Sequence, residues 1–429
     1  SSNATMVDSD GVLKWRPHNN ITKSNTFSTW NRTRSTVVDN AVDGPTGIAN
    51  TASTVNFTST TSNLFNLSTV AVSAGDKITL AAWVRSDTIT SLTFAVNGWT
   101  ATPNNTPETN LAVTSTWTLV TFEFTVVADD TGLYFIMGKY NTASPPSQIG
   151  EFELYGAHMY RSDLGGMVNN SEQLTGFETY VPTTTTPVYG PRVGHHIYNG
   201  SAWVNEGILH ESEARTNLCL NSNNSSNWLT NPSGSFTLTG AQAVGSDGTS
   251  SLTKVEITNT TNQFHEIYTS HSSINPSLGL TLSADFKDGN QRYVMIREYI
   301  NSSDWFAVVF DLVTGTVTQE SVGSGSVTIR GSGVIDLSNG LYRCWVSYKD
   351  SVNTTAAGVP TIDAVSSGTP TLNSSNGTES YSGIAGTHFF LGAMQLEAGS
   401  TPSSYIPTSG SAVTRAADLL TVPAANLPY

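Results

Sequence analysis

Charge is scarce in this sequence, and positive charge is scarcest. Only 12% of its 429 residues are Asp, Glu, Lys or Arg, roughly half the share of an average globular chain. Lys and Arg number 19 against 33 Asp and Glu, a net charge of −14. Nucleic-acid binders carry a basic footprint and membrane-surface anchors a polybasic cluster. The sequence has neither, which excludes nucleic acid as a partner. No stretch approaches the ~18 consecutive apolar residues of a spanning helix, so no membrane insertion by a helix is expected. Long runs at helical period are also missing, which argues against a helical or α/β fold. Cysteine is rare. Cys219 and Cys344 lie in the apolar runs NLCLNS and LYRCWVS. They read as buried free thiols acting as small hydrophobes. A disulfide would require neighbouring strands, and two cysteines do not make a metal site. The opening SSNATMVDSDG has no charged or apolar leader region and does not read as a natural start. The expectation is a fragment or a processed product.

Ser, Thr and Asn are abundant, making up roughly a third of the chain. Hydrophobic residues make up 38% and aromatic residues 9%, too much apolar material for disorder. Thr, Val and the aromatics favour strands, while Asn, Gly, Asp and Ser favour turns. The composition therefore predicts an all-β protein.

A long, weak internal repeat organises the chain. The first copy begins around Asn20-Ile21, followed by Ser24 and Trp30; the second begins at Asn217-Leu218-Cys219-Leu220, followed by Ser222 and Trp228. Each then has an Asp-Gly turn (Asp43-Gly44, Asp247-Gly248) and an alternating strand (from Asp76 and from Leu280). A Trp-bearing strand follows (from Thr116 and from Leu341), then a closing strand (from Phe152 and from Phe389). Both copies end on a Tyr-aliphatic-Pro-Thr clamp, Tyr180 to Thr183 and Tyr405 to Thr408. Many short alternating strands at regular spacing predict sandwiches, and at this size jelly rolls. Between the copies, TTTTP reads as a stiff connector. Asn199-Gly200 between two strand-like runs marks a hairpin. The expected organisation is two tandem jelly-roll β-sandwich domains joined by a linker hairpin. The first covers 1–188, the linker 189–213 and the second 214–418, with a C-terminal tail at 419–429.

No catalytic signature stands out. P-loop, GxGxxG and GxSxG motifs are absent. His210-Glu211 and His265-Glu266 begin like HExxH but lack the second His. His195-His196 would point to opposite faces of a strand. Asp8-Ser9-Asp10-Gly11 reads as a tight turn rather than a calcium loop, because its Gly comes too early. Glu151 and Glu153 share a strand face, yet glycoside cleavage needs two carboxylates facing each other across a bond. The expectation is no enzyme, no catalytic residue and no metal ligand. Binding is better supported, because sugars are recognised by aromatic faces with polar groups beside them. On the strand from Gln291 to Ile300, Tyr293, Met295, Arg297 and Tyr299 share one face, with Val294, Ile296 and Ile300 on the other; Trp305 follows a turn. The candidate ligand-binding residues are Tyr293, Arg297, Tyr299 and Trp305, with Trp99 and Tyr140 (beside Asn97) in the first copy. The competing reading packs these aromatics between domains or subunits.

SSYIPTSGSAVTRAADLL (from Ser403), LGAMQLEAGS (from Leu391), ARTNLCLNS (from Ala214) and LYRCWVS (from Leu341) resemble modules of tailed-phage and prophage virion proteins. These are tail fibres, tail spikes and head spikes carrying carbohydrate-binding-module-like jelly rolls. ATMVDSDGVLKW (from Ala4) and GPRVGHH…GILHESEARTNL (Gly190 to Leu218) resemble segments preceding such modules. The first copy departs most, having only Tyr189-Gly190-Pro191-Arg192 where the second has Thr-Arg-Ala-Ala-Asp. The resemblance implies a virion-surface, extracellular protein that displays non-catalytic domains toward host-cell surface glycan. It also implies other virion proteins as partners and a homotrimer. Alternatives are a structural spacer or decoration protein, and part of a glycan depolymerase spike. No cofactor is implied, although related jelly rolls leave room for a structural Ca²⁺. Arg192, Arg215, Arg415 and Asp418 read as braces on the chain leaving a domain. The negative charge weighs against acidic capsules through like-charge repulsion.

Overall fold

Strand alternation builds the core directly. In Lys77–Arg85, Ile78, Leu80, Ala82 and Val84 are fully buried in one cluster, and the strand pairs on both sides, with Thr118–Thr125 and Gly150–Arg161. The computed structural model describes residues 4–100, 105–142, 144–162, 181–190, 192–355 and 360–418. Among these, every strand pairing is antiparallel, and the helical turns are three short 3₁₀ segments. The fold is all-β, built of jelly-roll sandwiches.

The chain divides into two units, Trp15–Pro191 and a larger one formed by Ser1–Lys14 together with Arg192–Tyr429. The expected boundary at 188 therefore shifts, and the first fourteen residues leave the first domain. The linker hairpin is likewise part of the larger unit. Specific hydrogen bonds explain this. Val7 N–H donates to His195 Nδ1 at 3.2 Å, and the Thr5 hydroxyl donates to the Tyr405 carbonyl at 2.8 Å. The expected tail 419–429, and Tyr180 of the first clamp, lie outside the described residues.

The Trp15–Pro191 unit stacks two five-stranded sheets. One runs Glu108–Ala112, Ser91–Gly98, Leu133–Gly138, Asn63–Ser68, Asn31–Thr33; the other runs Thr118–Thr125, Lys77–Arg85, Gly150–Arg161, Ala52–Phe57, Ser35–Val42. The larger unit stacks two six-stranded sheets. Its hairpin pairs Val193–Tyr198 with Trp203–Ile208 across a four-residue loop, where Asn199 N–H donates to Ala202 O at 3.0 Å. Cys219 and Cys344 are buried free thiols, with burial pushing the Cys219 thiol up to about 12. Asp8 does close a tight turn, accepting from the Asp10 and Val12 amides.

Each unit repeats one buried amide brace. Asn217 Nδ2 donates to the Met394 and Ile406 carbonyls at 3.0 and 2.9 Å, and its Oδ1 accepts from the Cys219 and Leu396 amides at 3.1 Å each. Asn19 does the same with Ala157 O, Val181 O, Ile21 N and Met159 N. The repeat thus registers Asn19, not Asn20, on Asn217. Downstream, Ser24 and Thr183 exchange side-chain-to-amide bonds, as do Ser222 and Thr408. Trp30 and Trp228 each donate an indole N–H to a backbone carbonyl seven residues earlier.

A second brace holds the chain ends of the larger unit. The fully buried Arg192 guanidinium donates to Thr5 O at 2.9 Å, to Glu211 at 2.6 Å and to Asp418. Arg415 pairs with the same Glu211 at 3.3 Å and donates to Glu213 O at 3.0 Å. Two arginines and two carboxylates balance, which makes burial affordable.

Two predictions follow from this packing. Asn217→Ala strands two backbone carbonyls and two amides in the core. It is expected to destabilise the larger unit by about 2–4 kcal/mol in denaturant unfolding. Loss below about 0.5 kcal/mol would remove the brace from the account. The second concerns Glu298, fully buried on the core face between Ile296 and Ile300 beside Tyr348. Burial pushes its carboxyl from 4.5 up to about 8. A raised carboxylate pKa means the folded state holds a proton the unfolded state has released, so stability falls as pH rises from 4.5 to 8. Glu266, raised to about 7, contributes mainly below that pH, with a smaller share above it. Glu298→Gln should therefore remove its own share of the decline between pH 7 and 8, roughly 1 kcal/mol. An unchanged slope would contradict the assignment.

Candidate functional site

The site forms on the outer face of one six-stranded sheet in the larger unit. Its strands run in the order Trp228–Asn231, Glu266–Thr269, Thr361–Ala364, Tyr293–Tyr299, Trp305–Asp311, Thr316–Val322. Period-two alternation sends Ile267, Ile362, Val294, Ile296, Phe306 and Val308 into the core. The opposite face therefore carries Glu266, Tyr268, Thr361, Asp363, Arg297 and Tyr299.

The segment from Val365 to Glu379 divides that outer face in two. Over one half, Val365 and Leu372 pack on Met295, Trp305, Ala307 and Val309 as a small dry cluster. Trp305 is only 5% exposed and donates its indole N–H to Ser374 O at 3.1 Å. Gly377, at φ +72°, sits where a Cβ would lie 2.4 Å from the Trp305 ring, so only glycine allows the segment to come this close. The other half stays open as a cleft of about 460 Å³. Asn231, Phe264, Glu266, Tyr268, Arg297, Tyr299, Ser302, Thr361, Ser375, Asn376 and Thr378 line it.

Arg297 organises the cleft floor without being free to bind. Its Nε donates to Asp363 at 3.1 Å, its Nη1 to Asn376 O at 3.0 Å, and its Nη2 to Glu266. Asn231 Nδ2 also donates to Glu266, at 2.9 Å. Burial, then the neighbouring Asp363 charge, push the Glu266 carboxyl up to about 7 against the pull of Arg297. Asp363 is also raised, mainly by burial. One guanidinium facing two carboxylates leaves no surplus positive charge. The arrangement suits an uncharged ligand held by tyrosine and phenylalanine faces, with amide and hydroxyl groups beside them.

Of the residues singled out in the sequence, the cleft brings together Arg297 and Tyr299. Tyr293 packs against the dry cluster, under Arg292 at 5.1 Å. Trp305 is corrected from ligand contact to core, because the Val365–Glu379 segment covers it. Sequence reasoning missed Tyr268, Phe264 and Asp363, and it met Glu266 only as a failed metal motif. The alternation in His265-Glu266-Ile267-Tyr268 was the available signal. Glu151 is exposed, and Glu153 pairs with Arg85.

In the other unit, Trp99 is 53% exposed and stands 5.5 Å from Tyr134, which stands 5.8 Å from Phe65. This aromatic row crosses the outer face of the first five-stranded sheet. Tyr140 lies past the far end of Leu133–Gly138 and does not join it. Tyr134 and Phe65 were not anticipated.

No family model matches the chain, and no curated protein matches it. Among solved structures it is similar to the tandem CBM22-1–CBM22-2 domain of Paenibacillus barcinonensis Xyn10C. That match has 8% identity and a TM-score of 0.29, over 90% of this chain and 99% of that one. It is similar to TmCBM61 in complex with β-1,4-galactotriose, at 14% identity and a TM-score of 0.24, over 34% of this chain and 99% of that one. It also matches the enzymatically active domain of bacteriophage CBA120 tailspike protein 4, at 12% identity and a TM-score of 0.26. That match covers 33% of this chain but only 21% of the tailspike chain. At these TM-scores the likenesses add nothing to what the strands themselves establish.

Proposed function

We propose that this chain is a non-catalytic glycan-binding protein of a phage particle, exposed at the virion surface toward a host-cell polysaccharide. The carrying observation is the open cleft beside Tyr268 and Tyr299, with its internally neutralised Arg297 floor. Its charge balance favours a neutral polysaccharide over an acidic capsule. The virion setting rests on the sequence resemblance alone, as do association with other virion proteins and a homotrimeric state.

One observation favours the depolymerase alternative. Glu266 is a carboxylic acid in a cleft with a pKa raised to about 7, a property shared with general acids. Against it, Glu266 and Asp363 both grip Arg297 rather than face each other across an open bond.

Affinity electrophoresis against neutral and acidic bacterial polysaccharides, with a reducing-end assay on the same mixtures, tests both readings. The expected result is retardation by a neutral polysaccharide without new reducing ends. Tyr299→Ala and Tyr268→Ala should each lose about tenfold in affinity, the equivalent of ~1.4 kcal/mol. New reducing ends that vanish in Glu266→Gln would replace binding with hydrolysis. Unaltered retardation in both tyrosine variants would move the site elsewhere.

A further inference from the structure

A second cavity lies in the larger unit, away from the glycan cleft. It opens where the N-terminal strand Thr5–Val7 and the hairpin Val193–Ile208 lie on the outer face of the other six-stranded sheet. Its volume is about 530 Å³, within the range of small-molecule sites. Met6, Leu13, Ile197, Trp203, Ile335 and Leu337 supply mostly apolar walls. Ile197 and Ile335 are 44% and 43% exposed at its surface. The Trp203 wall is held in place by Gly11, at φ +78°, where a Cβ would lie 2.2 Å from the indole.

The charged groups of this cavity are ion-paired except Asp336, which accepts from the Ser338 amide at 2.8 Å. Arg343 is nine-tenths buried and donates to Asp285 at 3.0 Å and to Ser283 at 3.0 Å. Asp285 also accepts from Ser246 at 2.7 Å. Glu211 is neutralised by Arg192 and Arg415. Two polar groups remain for an occupant. The Arg343 Nε–H is buried with no partner. His195 accepts the Val7 amide at Nδ1, so its neutral ring carries the proton on Nε2, a donor.

We infer that this cavity is a second binding site, for a small uncharged amphiphile with a flat apolar body and a hydrogen-bond-accepting head. The paired charges at Arg343 and Glu211, with the added negative charge of Asp336, disfavour an anionic occupant, and the unpaired donors disfavour a cationic one. Apolar walls beside unpaired donors favour a carbonyl- or ether-bearing one. The inference is independent of the glycan proposal, because it uses none of the cleft residues.

Nile red, which is uncharged, planar and carries a carbonyl, is the probe. The full chain is expected to bind one equivalent with a blue-shifted, enhanced emission, and an anionic naphthalene sulfonate at least tenfold more weakly. Ile335→Asp places a charge in the wall at a half-exposed position and should weaken Nile red at least tenfold. Tyr299→Ala should leave it unchanged. Should Ile335→Asp misfold, quenching by a dibrominated uncharged amphiphile replaces it. That quenching should disappear in Trp203→Phe while Nile red binding persists. Absence of saturable Nile red binding would overturn the inference. So would concentration-dependent self-association abolished by Ile335→Asp, which would make the face an interface between copies. Probe binding that appears only in a chain ending at Asp418 would assign the cavity to the chain's own last residues.

Discussion

The structure of each unit hangs on one buried asparagine. A jelly roll must tie its opening segment to its closing strand and to the chain leaving it, and the short ladders Arg215–Asn217 with Val413–Arg415 and His18–Asn19 with Val188–Tyr189 join only two of these three pieces. Asn217, and Asn19 in the other unit, supply two donors and two acceptors at that junction, and all four are used. A side chain of another type would leave backbone groups unpaired in the core, at a cost per group comparable to a lost hydrogen bond. The Ser-Thr exchange and the buried tryptophan beside each asparagine complete the same junction. Arg192 extends the principle to the first residues of the chain, which it binds to the larger unit through Thr5 O.

With the sandwiches closed in this way, what distinguishes their outer faces is what covers them. In the larger unit the Val365–Glu379 segment seals half of one sheet and leaves the other half as a cleft. The same segment delivers the Asn376 carbonyl to Arg297, so the seal and the floor of the cleft are built together. The guanidinium is a positioning group here. It fixes Glu266 and Asp363 and has no charge to spare, leaving tyrosine faces to meet a ligand.

Much of this was legible in the sequence. Alternation and turn residues point to an all-β sandwich, and the spaced landmarks identify the duplication. The offset of one residue at Asn19 arose because Asn19 and Asn20 are adjacent, and only hydrogen-bond geometry separates them. The face carrying Tyr293, Arg297 and Tyr299 was correctly read as opposite to Val294 and Ile296. What alternation does not reveal is which part of a face a distant segment covers. Alternation alone therefore assigns Trp305 and Tyr293 to ligand contact, whereas a segment some seventy residues later covers Trp305. Glu298 lies between two isoleucines on the core face, where alternation leads one to expect an apolar side chain. The placement of residues 4–14 rests on contacts with segments near residues 195 and 405, nearly two hundred and four hundred positions away.

The central claim is that the Tyr268–Tyr299 cleft holds an uncharged glycan without cleaving it. A crystal soaked with a neutral oligosaccharide, cut from whichever polysaccharide the protein retains, addresses it directly. The account predicts an intact chain of sugar rings in that cleft, against Tyr268 or Tyr299, with the Arg297–Glu266–Asp363 cluster undisturbed beneath. Sugar bound elsewhere with the cleft vacant, or a shortened product at Glu266, would contradict it.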